Sequence, residues 1–158
     1  IADEPTTALD VTIQAQVLEV LQTAAKEFGT AVILITHNLG IVARYANRVN
    51  VMYAGKIVEQ GTADDIYHKM RHPYTLGLLD SVPRMDIWDE QRRLRTIEGA
   101  PPSLINLPTG CSFNPRCGFK QDKCLQDLPA LQGVGEGHSA ACWEWKNVKP
   151  AKPVGEKA

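Results

Sequence analysis

Apolar residues recur along 11–28, VTIQAQVLEVLQTAAKEF, at Ile13, Val17, Val20, Leu21, Ala24 and Phe28. That i, i+3, i+4, i+7 spacing lays one apolar stripe along a helix. Asp10 before it and Gly29 after it are residue types that cap helix starts and ends. The next segment changes period. TAVILITH, residues 30–37, is apolar almost throughout and rich in β-branched residues. It predicts a strand covered on both faces, as in a parallel sheet, with His37 just past its C-terminal end. NLGIVARYA has weaker helical spacing, through Leu39, Val42 and Ala43. RVNVMYAGKIVEQG predicts two strands around a turn at Ala54–Gly55, and TADDIYHKM a short helix capped by Thr62. Strands and helices in this alternation predict an open α/β sheet, with about two central strands and a hairpin.

After residue 70 the pattern loosens. RHPYTLGLLDSVP predicts a helix starting at Pro73, because proline is tolerated in the first turn. His72 and Tyr74 there have two readings: contacts to another subunit, or packing against the preceding domain. MDIWDEQRR is a polar connection and LRTIEG an edge strand. APPSLINLPTG is too rich in proline to be regular, and the lysine- and proline-rich KNVKPAKPVGEKA is expected to be disordered.

At 158 residues the chain is long enough for one ordinary domain or two small ones. A formal net charge of −1 argues against nucleic-acid binding as its task. No apolar run approaches the roughly 20 residues of a membrane span. The four cysteines all fall in the last third, at Cys111, Cys117, Cys124 and Cys142. That split suggests two modules with different needs.

The chemistry of the first module centres on the acidic pair Asp3–Glu4. Adjacent residues at a strand end point to different sides, so one carboxylate can face a metal ion and the other a water. His37, at the end of the next strand, lies near them if the strands are parallel neighbours, since ligands bind at the carboxyl ends of such strands. Taken singly, an Asp–Glu pair is usually a solvated turn and a histidine after a strand a surface residue. The ordered string decides more. ADEPTTALD followed by ILITHNLGIVARYANRVNVMYAGKIVEQG resembles the second half of the nucleotide-binding domain of an ABC transporter, over about residues 1–68. The resemblance implies that Asp3 acts on the Mg²⁺ of MgATP and that Glu4 is the general base. It implies too that Ala8–Asp10 form the loop that communicates across an ATPase dimer (Thr7 stands where Ser is common), and that His37 senses the γ-phosphate. No GxxxxGK[ST] phosphate loop, Gln-loop or LSGGQ-like signature is present. The expectation is therefore the C-terminal part of such an ATPase, with Ile1 interior to a buried strand and the fragment inactive by itself.

The cysteine region is similar to the C-terminal extension of oligopeptide and dipeptide importer ATPases, carried by RHPYTLGLL, by LRTIEGAPPSLINLPTGCSFNPRC and by the cysteines and His138 that follow. Some members carry nickel or other small solutes. The fold class expected is thus α/β: part of a P-loop NTPase parallel sheet with flanking helices over residues 1–70, a loop-rich four-cysteine extension over 71–145, and a tail from 146. The resemblance implies a second ABC ATPase subunit, two membrane permeases and, indirectly, a peptide-binding protein as partners, at the cytoplasmic face of the membrane. The spacing C-x5-C-x6-C-x17-C lacks the tight pairs of zinc knuckles. Four thiolates also suit a [4Fe–4S] cluster, which some relatives carry, with basic Arg116, Lys120, Lys123 and His138 nearby in sequence. Iron–sulfur, zinc and unligated buried thiols all stay open, and an isolated non-catalytic metal–cysteine module is the competing reading.

Overall fold

The computed structural model describes residues 1–82 and 96–149. It forms two compact units, Ile1–Asn47 and Arg48–Ala158, and overall a mixed α/β architecture with two separate sheets.

In the first unit, strand β1 (Ala2–Asp3) pairs in parallel with β2 (Leu34–Ile35). Helix α1 (Val11–Glu27) connects them and α2 (Leu39–Tyr45) follows. The Asp10 carboxylate caps α1, accepting from the N–H groups of Thr12 and Ile13 at 2.9 and 3.0 Å. Gly29, at φ 60°, supplies the left-handed residue after its end. The α1 helix therefore lies where its apolar period places it. The segment 30–37 differs from expectation: only Leu34–Ile35 pair, beside one neighbour. Ile33 is 60% exposed. A strand gains full cover only from neighbours on both edges and layers on both faces, and this unit contains two strands.

The second unit is built on an antiparallel sheet of order β3-β4-β6-β5, with β3 Arg48–Tyr53, β4 Lys56–Thr62, β5 Gln132–Gly135 and β6 His138–Ala140. The predicted turn joins β3 to β4, with Ala54 at φ 48° and Gly55 at φ 76°. Two successive positive φ values give the twist that closes a two-residue hairpin. The units divide at Asn47/Arg48 and not near residue 70, where the sequence texture changes. The reason is pairing: β4 aligns Glu59 with Ala140 and Gln60 with Ser139, so the hairpin shares a sheet with the cysteine region.

Helix α3 (Ala63–His68) begins with a reciprocal cap between Thr62 and Asp65. Helix α4 (Pro73–Asp80) begins at Pro73, as predicted, and α5 (Asp122–Gln126) carries Cys124. Tyr53, Val58 and Phe113 form the core. Tyr74 packs on it with ring centroids 4.6 Å from Tyr53 and 5.5 Å from Phe113, so the packing reading of Tyr74 is the one observed.

Two further expectations change. Thr96–Gly99, the described part of LRTIEG, is not a strand; Arg116 instead donates to the Ile97 and Glu98 carbonyls at 3.1 and 2.9 Å. At the start of the expected tail, Val148 is fully buried and its carbonyl accepts from Arg71 at 3.4 Å. MDIWDEQRR and residues 150–158 lie outside the described residues.

Candidate functional sites: a carboxylate–histidine pair and a four-thiol recess

The first unit brings two of the predicted site residues together at the carboxyl ends of its parallel strands. Ala2 aligns with Leu34 and Asp3 with Ile35, so the chain leaves both strands on the same side. There the His37 Nδ1 lies 2.8 Å from Glu4 Oε1. The other carboxylate oxygen, Oε2, accepts from the Thr7 hydroxyl at 2.7 Å. The Thr7 hydroxyl, and after it His37, hold the Glu4 carboxyl below its usual range, so it is ionised at neutral pH. Glu4 also has φ 48°, a left-handed conformation costing a side-chain-bearing residue about 1–2 kcal/mol. Strain at a functional residue persists where surrounding bonds hold it, and here both oxygens are held. Asp3 is exposed on β1 and Asp10 is engaged at the start of α1.

The second unit gathers all four cysteines. Cys111, Cys117, Cys124 and Cys142 line one small recess with His72, Phe113 and Trp143. Gly110 makes this possible: its φ is 70° and the Cys111 N–H donates to the Cys124 carbonyl at 2.9 Å. Burial raises the Cys111 thiol, pushes Cys117 up to about 11 and Cys142 up to about 12, with neighbouring thiols adding in the same direction. The Phe119 N–H donates to Cys117 Sγ at 3.4 Å. Among the described residues no group of three or more His, Cys, Asp or Glu side chains is close enough to hold a metal ion.

A third constellation escaped the sequence reading. Glu59 is fully buried, yet its Oε1 accepts from the Arg71 N–H at 2.5 Å and lies 2.8 Å from His138 Nε2. Its Oε2 accepts from the His72 N–H at 3.1 Å. A buried carboxylate needs such donors, because an unpaired one is very costly. Its signal was faint: a charged residue in KIVEQG, which β alternation assigns no partner. Beside it His72 is buried, its Nδ1 accepting from the Tyr74 N–H at 3.1 Å, and burial brings its imidazole down to about 4.

Comparison with known proteins shows what the chain is similar to. Residues 58–124 match the family model described as "Oligopeptide/dipeptide transporter, C-terminal region". The chain is 50% identical over 143 residues to an oligopeptide transport ATP-binding protein, OppD, of Haemophilus influenzae, covering 90% of this chain and 43% of that one. It is 54% identical over 142 residues to the Mycobacterium tuberculosis protein of that name (90% and 23%) and 48% identical over 144 residues to the Salmonella typhimurium one (91% and 42%). The chain spans less than half the length of these relatives.

Proposed function

We propose, from the match of residues 58–124 to the C-terminal region of oligopeptide/dipeptide transporters, that the chain is the C-terminal part of an ATP-binding subunit that powers peptide import. The observation that carries this reading is the Glu4–His37 pair at the carboxyl ends of two parallel strands. In phosphoryl transfer the protein supplies positioning and charge. Glu4, ionised and held at both oxygens, accepts the proton of a water aimed at the terminal phosphate. His37 fixes one Glu4 oxygen and presents the rest of its exposed ring to that phosphate. Asp3, an exposed carboxylate beside Glu4, is the residue to hold Mg²⁺, which offsets phosphate charge when bound. Asp10, capping α1, anchors the loop that meets a second ATPase subunit.

The relatives' names indicate oligopeptide cargo, and the partners are a second ATPase subunit, two permeases and a separate peptide-binding protein. No helix among the described residues is long and apolar enough to cross a membrane. Residues 1–70 are assigned in this reading to the nucleotide-binding domain and 71–145 to the importer extension, which the match over 58–124 overlaps. Glu4→Gln in the full-length protein is expected to abolish turnover while ATP binding persists. Undiminished turnover overturns the assignment.

A second reading concerns the recess, and the four thiols around it support it. Tetrahedral zinc with Zn–S bonds of about 2.3 Å draws its sulfurs to within about 3.8 Å of one another, and no such group of three ligands is found among the described residues. A [4Fe–4S] cluster is larger than an ion and spreads its four thiolates around itself. Four thiols share the recess with His72, Phe113 and Trp143, and a backbone N–H is directed at one sulfur, as thiolates around such a cluster need. Cys111, Cys117, Cys124 and Cys142 would hold it, and it would supply a staple for a proline-rich segment.

A further inference from the structure

We infer that Thr7 is a positioning residue for Glu4, a third member of the Glu4–His37 site. The inference rests on the reading of Glu4 as general base and deepens it.

The local sequence explains the contact. Glu4-Pro5-Thr6-Thr7 is a β-turn with proline at its second position, where the fixed φ of proline suits the turn. The Thr7 N–H closes it on the Glu4 carbonyl at 3.1 Å. Thr6 is buried, and its carbonyl accepts from the Leu9 N–H at 3.3 Å, so a second turn follows directly. This path returns the Thr7 side chain to the Glu4 carboxylate, where its hydroxyl donates to Oε2 at 2.7 Å. Threonine is β-branched and stiff at χ1, so the donor is aimed before any ligand arrives.

The two anchors have different origins. His37 comes from the other strand and holds Oε1 at 2.8 Å; Thr7 comes from the turn and holds Oε2. A carboxylate anchored at one oxygen still swings about its terminal torsion, which is broad for Glu. Anchored at both, its plane is set. A general base must stand within hydrogen-bond reach of the proton it takes, and small misplacements are costly in rate. Thr7 never touches the reacting atoms in this scheme; it acts through the orientation of Glu4.

Three variants of the full-length protein, assembled with its partner subunits, test this by steady-state ATP hydrolysis. Thr7→Val keeps the branched shape and removes the donor. It is expected to lower kcat about tenfold, as loss of a hydrogen bond to a charged group would, with KM for ATP unchanged. Thr7→Ser keeps the hydroxyl and is expected to restore most of kcat. Glu4→Gln is the control and is expected to be inactive. If Glu4→Gln is inactive while Thr7→Val turns over normally, the role of Thr7 is overturned and the base assignment stands. Equal losses in Thr7→Val and Thr7→Ser, or a loss confined to KM, also overturn it, since either points to shape or nucleotide binding. Turnover by Glu4→Gln overturns the base assignment, and the inference about Thr7 with it.

Discussion

Beside its apolar core the second unit is tied together by a buried polar cluster. Glu59 lies at 0% exposure with three donors around its carboxylate, from Arg71, His72 and His138. One side chain of β4 thereby ties the entry to α4 and the strand β6. His72 shows how such burial couples to pH. Its imidazole, accepting from the Tyr74 N–H, is brought down by burial to about 4 from 6.5. Between those values the unfolded chain binds a proton that the folded chain excludes. Stability therefore rises with pH across this window and falls as the solution is acidified from about 6.5 toward about 4. The full difference is about 3 kcal/mol, at 1.36 kcal/mol for each pKa unit. Urea midpoints measured from pH 7 to pH 4 are expected to fall, and His72→Asn, which keeps a capping acceptor but does not titrate, is expected to flatten that part of the curve. A parallel decline in both proteins would show that other groups set the acid limb.

At the scale of elements, turns and caps do most of the positioning. The α1 and α3 helices start where Asp10 and Thr62 satisfy their first N–H groups, and the β3–β4 hairpin closes at Ala54–Gly55. The cysteine region depends on closer approach. Gly110 has φ 70°, and a Cβ there would collide with the Cys124 carbonyl oxygen and stand 2.8 Å from the Leu125 carbonyl carbon. Gly110→Ala thus adds backbone strain and forces apart the Cys111 N–H and Cys124 carbonyl. We expect a loss of about 3 kcal/mol or more in unfolding free energy, from strain plus a broken buried hydrogen bond. Gly29→Ala is the comparison: φ is 60° but nothing lies within 4 Å of the added carbon. It is expected to cost only the left-handed penalty of about 1–2 kcal/mol. Equal losses in chemical denaturation would remove close approach as the reason for glycine at 110.

For the whole molecule the division into two units confines the proposed cluster to one of them. Every cysteine lies in Arg48–Ala158 and none in Ile1–Asn47. Purified without oxygen, the protein is expected to carry about four irons and four acid-labile sulfides per chain, with absorption near about 400 nm. Losing them to oxidation should speed amide exchange across residues 110–142 more than in 1–47, because bound metal stabilises the structure that holds it. One zinc per chain, or four free thiols and no metal, would overturn the cluster. The sequence by itself determined the local features of this protein. The period of 11–28 with its Asp10 cap, the positive-φ turn at Ala54–Gly55 and the proline start of α4 each depend on neighbours within a few residues. The string from Asp3 to His37 likewise singled out Glu4 and His37, which the structure brings within 2.8 Å of each other. Only the tertiary structure decided what depends on long separations. No period in HSA or QGVG announces strands, yet HSA pairs with β4 from about 80 residues away and QGVG pairs with HSA, and no spacing reveals that Glu59 meets His138. The same holds for the four thiols, whose spacing does not show that they face one recess or that Gly110 lets the backbones of Cys111 and Cys124 meet. Thr7 stands between these cases: its turn is legible in Glu4-Pro5-Thr6-Thr7, but its hydroxyl matters because a distant strand brings His37 to the same carboxylate.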